Sequence, residues 1–206
     1  MKKWLIALFI FIAAVSLAAC SGAPASMIDS MVDAGFIRQA DLSDHEGFTV
    51  TDHVFYETDF MTAYNLMNDT DEPFVLYIGL GACPWCTQAI NPMYEAAREV
   101  GLERILYINR RSETNHFPDE ENEWRPSDME LVFMHFLENY MEFTTRDDLT
   151  RVFVPEVIVW DGNRVLTSRQ GTFPDAFPAV LEITDEEIDE LRSIYVGMFE
   201  QYTRLR

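Results

Sequence analysis

Apolar residues along the chain fall into two kinds of pattern. Unbroken runs, such as Phe74-Val75-Leu76-Tyr77-Ile78, favour buried strands, and spacings of three and four residues favour helices. The predicted strands cover residues 54–57, 74–79, 105–108, 157–160 and 164–167. The predicted helices cover residues 27–34, 59–68, 87–100, 128–140 and 184–203. From residue 54 the order is β-α-β-α-β-α-β-β-α, which predicts an α/β fold.

Local signals support several of these boundaries. Gly101 follows the third predicted helix, where a glycine commonly ends a helix. Asp161-Gly162-Asn163 predicts a hairpin turn between the last two strands. Thr184 followed by Glu187 forms a capping box, which predicts the start of the terminal helix.

Three stretches lack a regular pattern. Residues 36–53 predict an irregular or partly helical extension, residues 111–126 a polar surface insertion, and residues 173–178 a loop. No cluster of metal ligands surrounds the histidines. His45 and His53 are therefore expected at the surface, and His116 in the insertion. His135 is expected to be a partly buried helical residue rather than a catalytic one.

Length, composition and charge limit the number of domains and the classes of partner that the chain could have. A chain of 206 residues, 48% of them hydrophobic, is long enough for one domain with a sizeable core. Its formal charge of −20 argues against nucleic acid as a partner, since nucleic-acid binding needs a basic surface.

The first 19 residues have the pattern of an export signal, with Lys2 and Lys3 before a long apolar stretch. The stretch ends in Leu17-Ala18-Ala19-Cys20, which resembles the lipobox of bacterial lipoproteins. This resemblance implies lipidation of Cys20, membrane attachment through that lipid, and an extracytoplasmic place in a bacterial cell envelope. An uncleaved signal anchor and plain secretion are the alternatives. Residues 20–53 would then form a tether and extension, and residues 54–206 the folded domain.

The candidate chemistry lies in Cys83-Pro84-Trp85-Cys86, between a predicted strand and a predicted helix. A cysteine at a helix N-terminus is stabilised as a thiolate by unpaired backbone N–H groups. Pro84 suits the first helical turn. Cys86 lies one turn further and would resolve a mixed disulfide formed by Cys83. The alternatives are a buried structural pair or half of a zinc site, but the sequence offers no second ligand pair.

The order of elements and the motifs resemble the thioredoxin family over residues 54–206. The resemblance rests on the strand ending at the cysteine pair, on Val154-Pro155 before an apolar strand, and on Asp161-Gly162 with Gly171 beyond it. It implies a central mixed sheet flanked by helices, with an N-terminal extension and an insertion before the third helix. Among relatives, Phe74–Gly79 followed by Cys-Pro-x-Cys is similar to thioredoxin-like proteins of the bacteriocin-transport-accessory type.

The resemblance also assigns roles. It implies that Cys83 is the nucleophile and Cys86 the resolving thiol. It implies that Pro155 is cis and faces the thiols, that backbone beside it at Val154 binds an extended substrate segment, and that Trp85 supplies an exposed aromatic contact. No metal, flavin or nucleotide cofactor is implied.

Two departures from thioredoxin concern the site. Thioredoxin has Gly-Pro between its cysteines, and it has a buried aspartate where this chain has Tyr77. A tyrosine is a poor base at neutral pH, so proton transfer at the resolving thiol needs another group or water.

Glu156, immediately after Pro155, is also unusual. It is expected either near the thiols or as an acid on the rim of an exposed strand end.

The sequence therefore predicts a thiol–disulfide oxidoreductase that acts on client proteins with thiols or disulfides and is recycled by an unidentified redox partner. Acidic surroundings and the lack of Lys or Arg in residues 79–94 favour a reductase or isomerase over an oxidase. The alternative is a non-catalytic binding module or chaperone of an envelope system. Copper delivery is disfavoured, because the related copper chaperones use a longer cysteine spacing and a histidine.

Overall fold

A computed structural model of the chain describes residues 26–110, 126–142, 145–146, 149–150, 152–172 and 183–205. The predicted leader, Cys20, almost all of the polar insertion including His116, and the loop at residues 173–178 lie outside these residues. The helices are α1 (Met27–Asp33), α2 (Phe60–Asp69), α3 (Pro84–Val100), α4 (Asp128–Leu137) and α5 (Asp185–Thr203). The strands are β1 (Arg38–Gln39), β2 (Phe55–Thr58), β3 (Phe74–Gly79), β4 (Ile105–Asn109), β5 (Thr145–Arg146), β6 (Leu149–Thr150), β7 (Glu156–Trp160) and β8 (Val165–Gln170).

Six strands form one mixed sheet in the order β1-β2-β4-β3-β7-β8, and β5 pairs with β6 separately. Strands β2, β4 and β3 run parallel to one another, whereas β1, β7 and β8 each pair antiparallel with their neighbours. The expectation of an α/β fold is confirmed, and the central sheet is mixed and flanked by helices.

The centre of the sheet explains its sequence. Every residue of β3 and of β7 is buried. Helices and the N-terminal segment, residues 34–54 between α1 and β2, cover both faces of these strands. A strand buried on both faces has an unbroken apolar sequence rather than an alternating one. This is the pattern from which β3 was predicted.

Alternate residues of the strands contribute to two separate cores. One core lies between the sheet and helices α3 and α5, and it contains Tyr77, Tyr107 and Tyr195. The other lies between the sheet and helices α1, α2 and α4, and it contains Leu76, Phe133 and Trp160. The cysteine pair at the start of α3 therefore borders the first core.

The segment before β2 is part of the fold. Ala40, Leu42 and Phe48 are buried in the first core, and Ile37 is buried in the second. The short strand β1 pairs with β2, within a stretch that the sequence predicted as irregular. This N-terminal segment thus lies against β4 and the loop that precedes α3.

Helix α4 differs from its prediction in extent and orientation. It ends at Leu137 rather than at residue 140, with Glu138 as its C-cap. The predicted partial burial of His135 is wrong, because its side chain is 89% exposed; its Nδ1 is 3.1 Å from Glu138 Oε2. The helix instead turns Glu130 inward, where Arg110 donates to it at 3.0 Å.

Two predicted boundaries are confirmed in detail. Thr184 and Glu187 form a reciprocal capping box at the start of α5. Gly162 lies in the turn between β7 and β8 with φ +103°, and a Cβ there would overlap the backbone oxygen of Asp71. Only glycine fits this position.

A membrane-spanning helix requires a long, uninterrupted apolar stretch. In the described part of the chain no helix meets that requirement.

Candidate functional site: the cysteine pair at the start of helix α3

The cysteine pair lies where β3 ends and α3 begins, as the sequence predicted. Cys83 is the N-cap of α3 and Pro84 its first residue. The backbone N–H of Cys83 donates to Leu80 O at 2.9 Å, and the Thr87 hydroxyl donates to Gly81 O at 3.3 Å. The loop is thus fixed at both ends, and it presents Cys83 at the end of the sheet.

The two thiols differ in accessibility. Both are free, with no disulfide between them in this structure. Cys83 is 8% exposed, whereas Cys86, one turn into the helix, is completely buried. Cys83 is therefore the thiol that a disulfide in another molecule reaches first.

The surroundings of the pair move the two pKa values in opposite directions. The Cys86 thiol faces the Cys83 sulfur and, with the backbone N–H groups of Cys86 and Trp85, lowers the pKa of Cys83 to about 7 against the effect of burial. The Cys83 sulfur makes no helix-capping hydrogen bond of normal geometry to a described residue. Burial raises the pKa of Cys86 well above its ordinary value, and the neighbouring Cys83 adds to this. Cys83 is thus the readily ionised thiol of the pair.

The segment before β7 lies beside Cys83. The Val154–Pro155 peptide bond is cis, as expected from the resemblance. The carbonyl oxygen of Val154 is 3.9 Å from Cys83 Sγ, and Pro155 O accepts the backbone N–H of Gly171 at 2.8 Å. The structure thus brings Val154 and Cys83 together. Trp85 is half-buried rather than fully exposed and has interactions of its own.

Glu156 is buried, so the prediction that it lies on the rim of an exposed strand end is wrong. It lies in β7 between Ile78 of β3 and Gln170 of β8, and it is completely inaccessible. Neither carboxyl oxygen makes a hydrogen bond of normal geometry to a described residue. Burial raises the pKa of Glu156 to about 8, and the nearby Gln170 amide opposes this only in part. Glu156 is therefore mostly protonated at pH 7, which removes most of its negative charge.

Behind Cys86 lies a group of buried tyrosines. The rings of Tyr77 and Tyr107, which are paired across β3 and β4, stack with centroids 5.2 Å apart. The tip of the Tyr77 ring lies over Gly79, where any Cβ would overlap it. The hydroxyls of Tyr77, Tyr107 and Tyr195 are all buried, and none makes a hydrogen bond of normal geometry to the described part of the chain. Burial is the main reason that the pKa of each of these hydroxyls is raised.

The N-terminal segment adds two residues that the sequence did not identify as part of the site. Asp44 lies directly against Gly81, two residues before Cys83, where a Cβ would overlap its carboxylate. His45 Nδ1 is 3.0 Å from Asp44 Oδ1, and its ring meets Tyr107 edge-on with centroids 5.8 Å apart. No short-range pattern in the sequence indicates these contacts, because they join residues far apart in the chain.

The expected surface positions of His45 and His53 are wrong. His45 is 1% exposed and His53 is 8% exposed. Both side chains pack under the N-terminal segment, and burial lowers the pKa of each. His53 Nδ1 accepts the backbone N–H of Phe55 at 3.3 Å, so it has a local structural role.

Comparison with known proteins gives no assignment. No protein-family model matches the chain, and no curated protein is similar to it in sequence. Among the described residues, no group of three or more His, Cys, Asp or Glu side chains could hold a metal ion.

Proposed function

We propose that this protein is a thiol–disulfide oxidoreductase. One observation carries the proposal: Cys83, which retains 8% exposure, caps helix α3 and is followed, one turn on, by the fully buried Cys86, which faces it. Two such thiols can form and release a mixed disulfide in turn.

The exchange has two steps. The Cys83 thiolate attacks one sulfur of a client disulfide, which forms a mixed disulfide and releases the other client sulfur as a thiolate that takes a proton from solvent. Cys86 then loses its proton and attacks the Cys83 sulfur, which forms the Cys83–Cys86 disulfide and releases the second client thiolate. The client gains two electrons, and an unidentified redox partner returns the pair to its thiol state.

The thioredoxin fold is part of the same proposal. Its support is the order β2-α2-β3-α3-β4-α4 followed by β7-β8-α5, with the cysteine pair at the end of β3. Val154 O beside Cys83 is further support, because it would receive an extended client segment next to the nucleophile. We assign Val154, Pro155 and Trp85 to that client surface. We also propose a relationship to thioredoxin-like proteins of the bacteriocin-transport-accessory type, and its support is the sequence of Phe74–Gly79 followed by the Cys-Pro-x-Cys motif.

The direction of exchange follows from the nucleophile. Strongly oxidising disulfides have a nucleophile with a pKa near 3.5, whereas that of thioredoxin is near 7. The pKa of about 7 for Cys83 favours a reductase or isomerase over an oxidase. Glu156 adds little negative charge, because its pKa of about 8 keeps most of it protonated at pH 7.

The alternative is a non-catalytic binding module or chaperone that uses the same surface. Its support is the low exposure of Cys83, at 8%. An insulin-reduction assay with dithiothreitol separates the two functions. We expect the wild-type chain to accelerate insulin precipitation, and the Cys83→Ala variant to leave it at the rate of dithiothreitol alone. A wild-type rate equal to that of dithiothreitol alone would favour the binding module.

We propose that the protein is located in a bacterial cell envelope. A lipid on Cys20 would hold the chain to the extracytoplasmic side of the membrane. The support is Leu17-Ala18-Ala19-Cys20 and the leader before it. An oxidising compartment would supply disulfides as substrates. Capture of clients by a Cys86→Ala variant tests this location, because the trapped clients would then be envelope proteins.

A further inference from the structure

Helices α1 and α2 leave an apolar groove between them at the protein surface. The groove has a volume of about 370 Å³, and its apolar walls are Met27, Met31, Phe36 and Leu66. Phe36 is 77% exposed and Met27 is 51% exposed, although both side chains are large and apolar. Large apolar side chains that gather at one exposed place mark a contact with another molecule or with a membrane.

The groove lies at the point where the chain enters the fold. Ser26 is the N-cap of α1, and its hydroxyl donates to the Glu72 carboxylate. The backbone N–H of Ile28 donates to the same carboxylate at 3.2 Å. Arg104 Nη1 donates to Asp29 Oδ1 at 2.8 Å. Helix α1 is thus held to the segments that precede β3 and β4, which fixes the entry point beside the groove.

The length of chain before this entry point limits what can cover the groove. Five residues, 21–25, separate Ser26 from Cys20, which is the position of the proposed lipid. An extended chain spans at most about 3.6 Å per residue, so the two residues lie no more than roughly 20 Å apart. A lipid on Cys20 therefore keeps α1 within that distance of the membrane. The bilayer is the apolar partner that is permanently within reach of the groove.

The charge of the groove indicates which kind of membrane contact it suits. Its described lining residues include Asp69 but no Lys or Arg. Attraction to anionic lipid headgroups depends on basic residues. The groove therefore fits a zwitterionic bilayer, where the gain comes from burial of Met27 and Phe36 in the interface, as it does for the apolar faces of interfacial helices.

We propose that the groove between α1 and α2 rests on the surface of a lipid bilayer, with Met27 and Phe36 entering the interface. This inference rests on the proposed function, and in particular on the proposed lipid at Cys20.

The sheet separates this groove from the cysteine pair. Helices α1 and α2 pack on one face of the sheet, in the second core, whereas α3 packs on the other face, in the first core. When the groove rests on a bilayer, Cys83 at the start of α3 lies on the side of the sheet away from it. The clients of Cys83 are then extracytoplasmic proteins or domains rather than segments embedded in the membrane.

The test uses the lipid-bearing chain in its oxidised form, reconstituted into phosphatidylcholine vesicles. The Cys83–Cys86 disulfide leaves an introduced cysteine as the free thiol, to which an environment-sensitive fluorophore is attached. Asn65→Cys places the fluorophore in the groove. Ser193→Cys is the matched control, because it is an exposed position of α5 on the other side of the sheet. Lipids that carry a nitroxide quench a fluorophore that lies in the bilayer interface.

We expect the label at position 65 to shift its emission to shorter wavelength and to be quenched, whereas the label at position 193 should show neither effect. Addition of Phe36→Ser should reduce the quenching at position 65, because it removes an apolar side chain from the interface. Leu205→Ser should leave the quenching unchanged, because Leu205 is an exposed apolar residue that follows α5 instead.

A label at position 65 that is not quenched, in a chain that floats with the vesicles, would overturn this inference and leave the proposed function intact. Equal quenching at positions 65 and 193 would also overturn it. An emission shift without quenching, which weakens as the chain is diluted with lipid, would show that a second copy covers the groove instead of a bilayer. A chain that does not float with the vesicles would contradict both the lipid on Cys20 and this surface. Failure in the insulin assay, by contrast, would contradict the exchange reaction and leave the bilayer contact in place.

Discussion

The Cys86→Ala variant is expected to accumulate mixed disulfides with its clients, whereas Cys83→Ala should form none. Cys83 caps α3 and is the accessible thiol of the pair, so it makes the first bond. Cys86 is completely buried and faces Cys83, so its loss removes only the step that releases the client. Alanine is chosen because a buried serine hydroxyl would need a hydrogen-bond partner.

The measurement is non-reducing gel electrophoresis of cells that express each full-length variant, followed by identification of the captured proteins. Dithiothreitol should release them. A Cys83→Ala,Cys86→Ala double variant is the control for non-covalent association. Capture by Cys83→Ala at the level of Cys86→Ala would reverse the two roles, and capture by neither would contradict an exchange reaction.

Glu156→Gln is expected to stabilise the protein at alkaline pH and to leave its stability unchanged near pH 4.5. The Glu156 carboxyl has a pKa of about 8 in the folded chain and one near 4.5 when it is freely solvated. Between these values the folded state holds a proton that the unfolded state has lost. The free energy of unfolding therefore falls as pH rises through this range and is level above it.

Raising the pKa of a buried carboxyl from 4.5 to about 8 corresponds to at most roughly 5 kcal/mol. Glutamine resembles the neutral carboxyl, so the variant avoids this loss. Urea unfolding of both chains at a series of pH values measures the difference. Glu46→Gln, at an exposed position of the N-terminal segment, is the control and should change little at any pH. Equal pH dependence in wild type and Glu156→Gln would show that Glu156 is not buried.

The central part of the fold and the cysteine pair could be predicted from sequence because their signals are local. The unbroken apolar run of β3 indicates a strand covered on both faces, and Pro84 marks the first turn of α3. A Cys-x-x-Cys at that junction needs no distant residue to be recognised. The same holds for the capping box of α5.

The rest of the site depends on contacts between residues far apart in the chain. Asp44 meets Gly81, and His45 meets Tyr107. A polar residue in an irregular segment gives no sign that the segment will be buried against a sheet. Glu156 is a similar case: a carboxyl at a strand start is usually exposed, but here the strands on both sides cover it. The position of Val154 beside Cys83 followed from the resemblance to a family, not from the residues alone.

The most direct test of the account is alkylation of the reduced chain by iodoacetamide over a range of pH, with each modified cysteine identified by mass spectrometry. The proposed exchange requires that Cys83 be the more exposed and more readily ionised thiol and that Cys86 be protected. It predicts that Cys83 is modified first, with a half-maximal rate near pH 7, while Cys86 stays unmodified in the folded protein. Preferential modification of Cys86, or a Cys83 rate that rises only near the pKa of a free thiol at about 8.5, would contradict it.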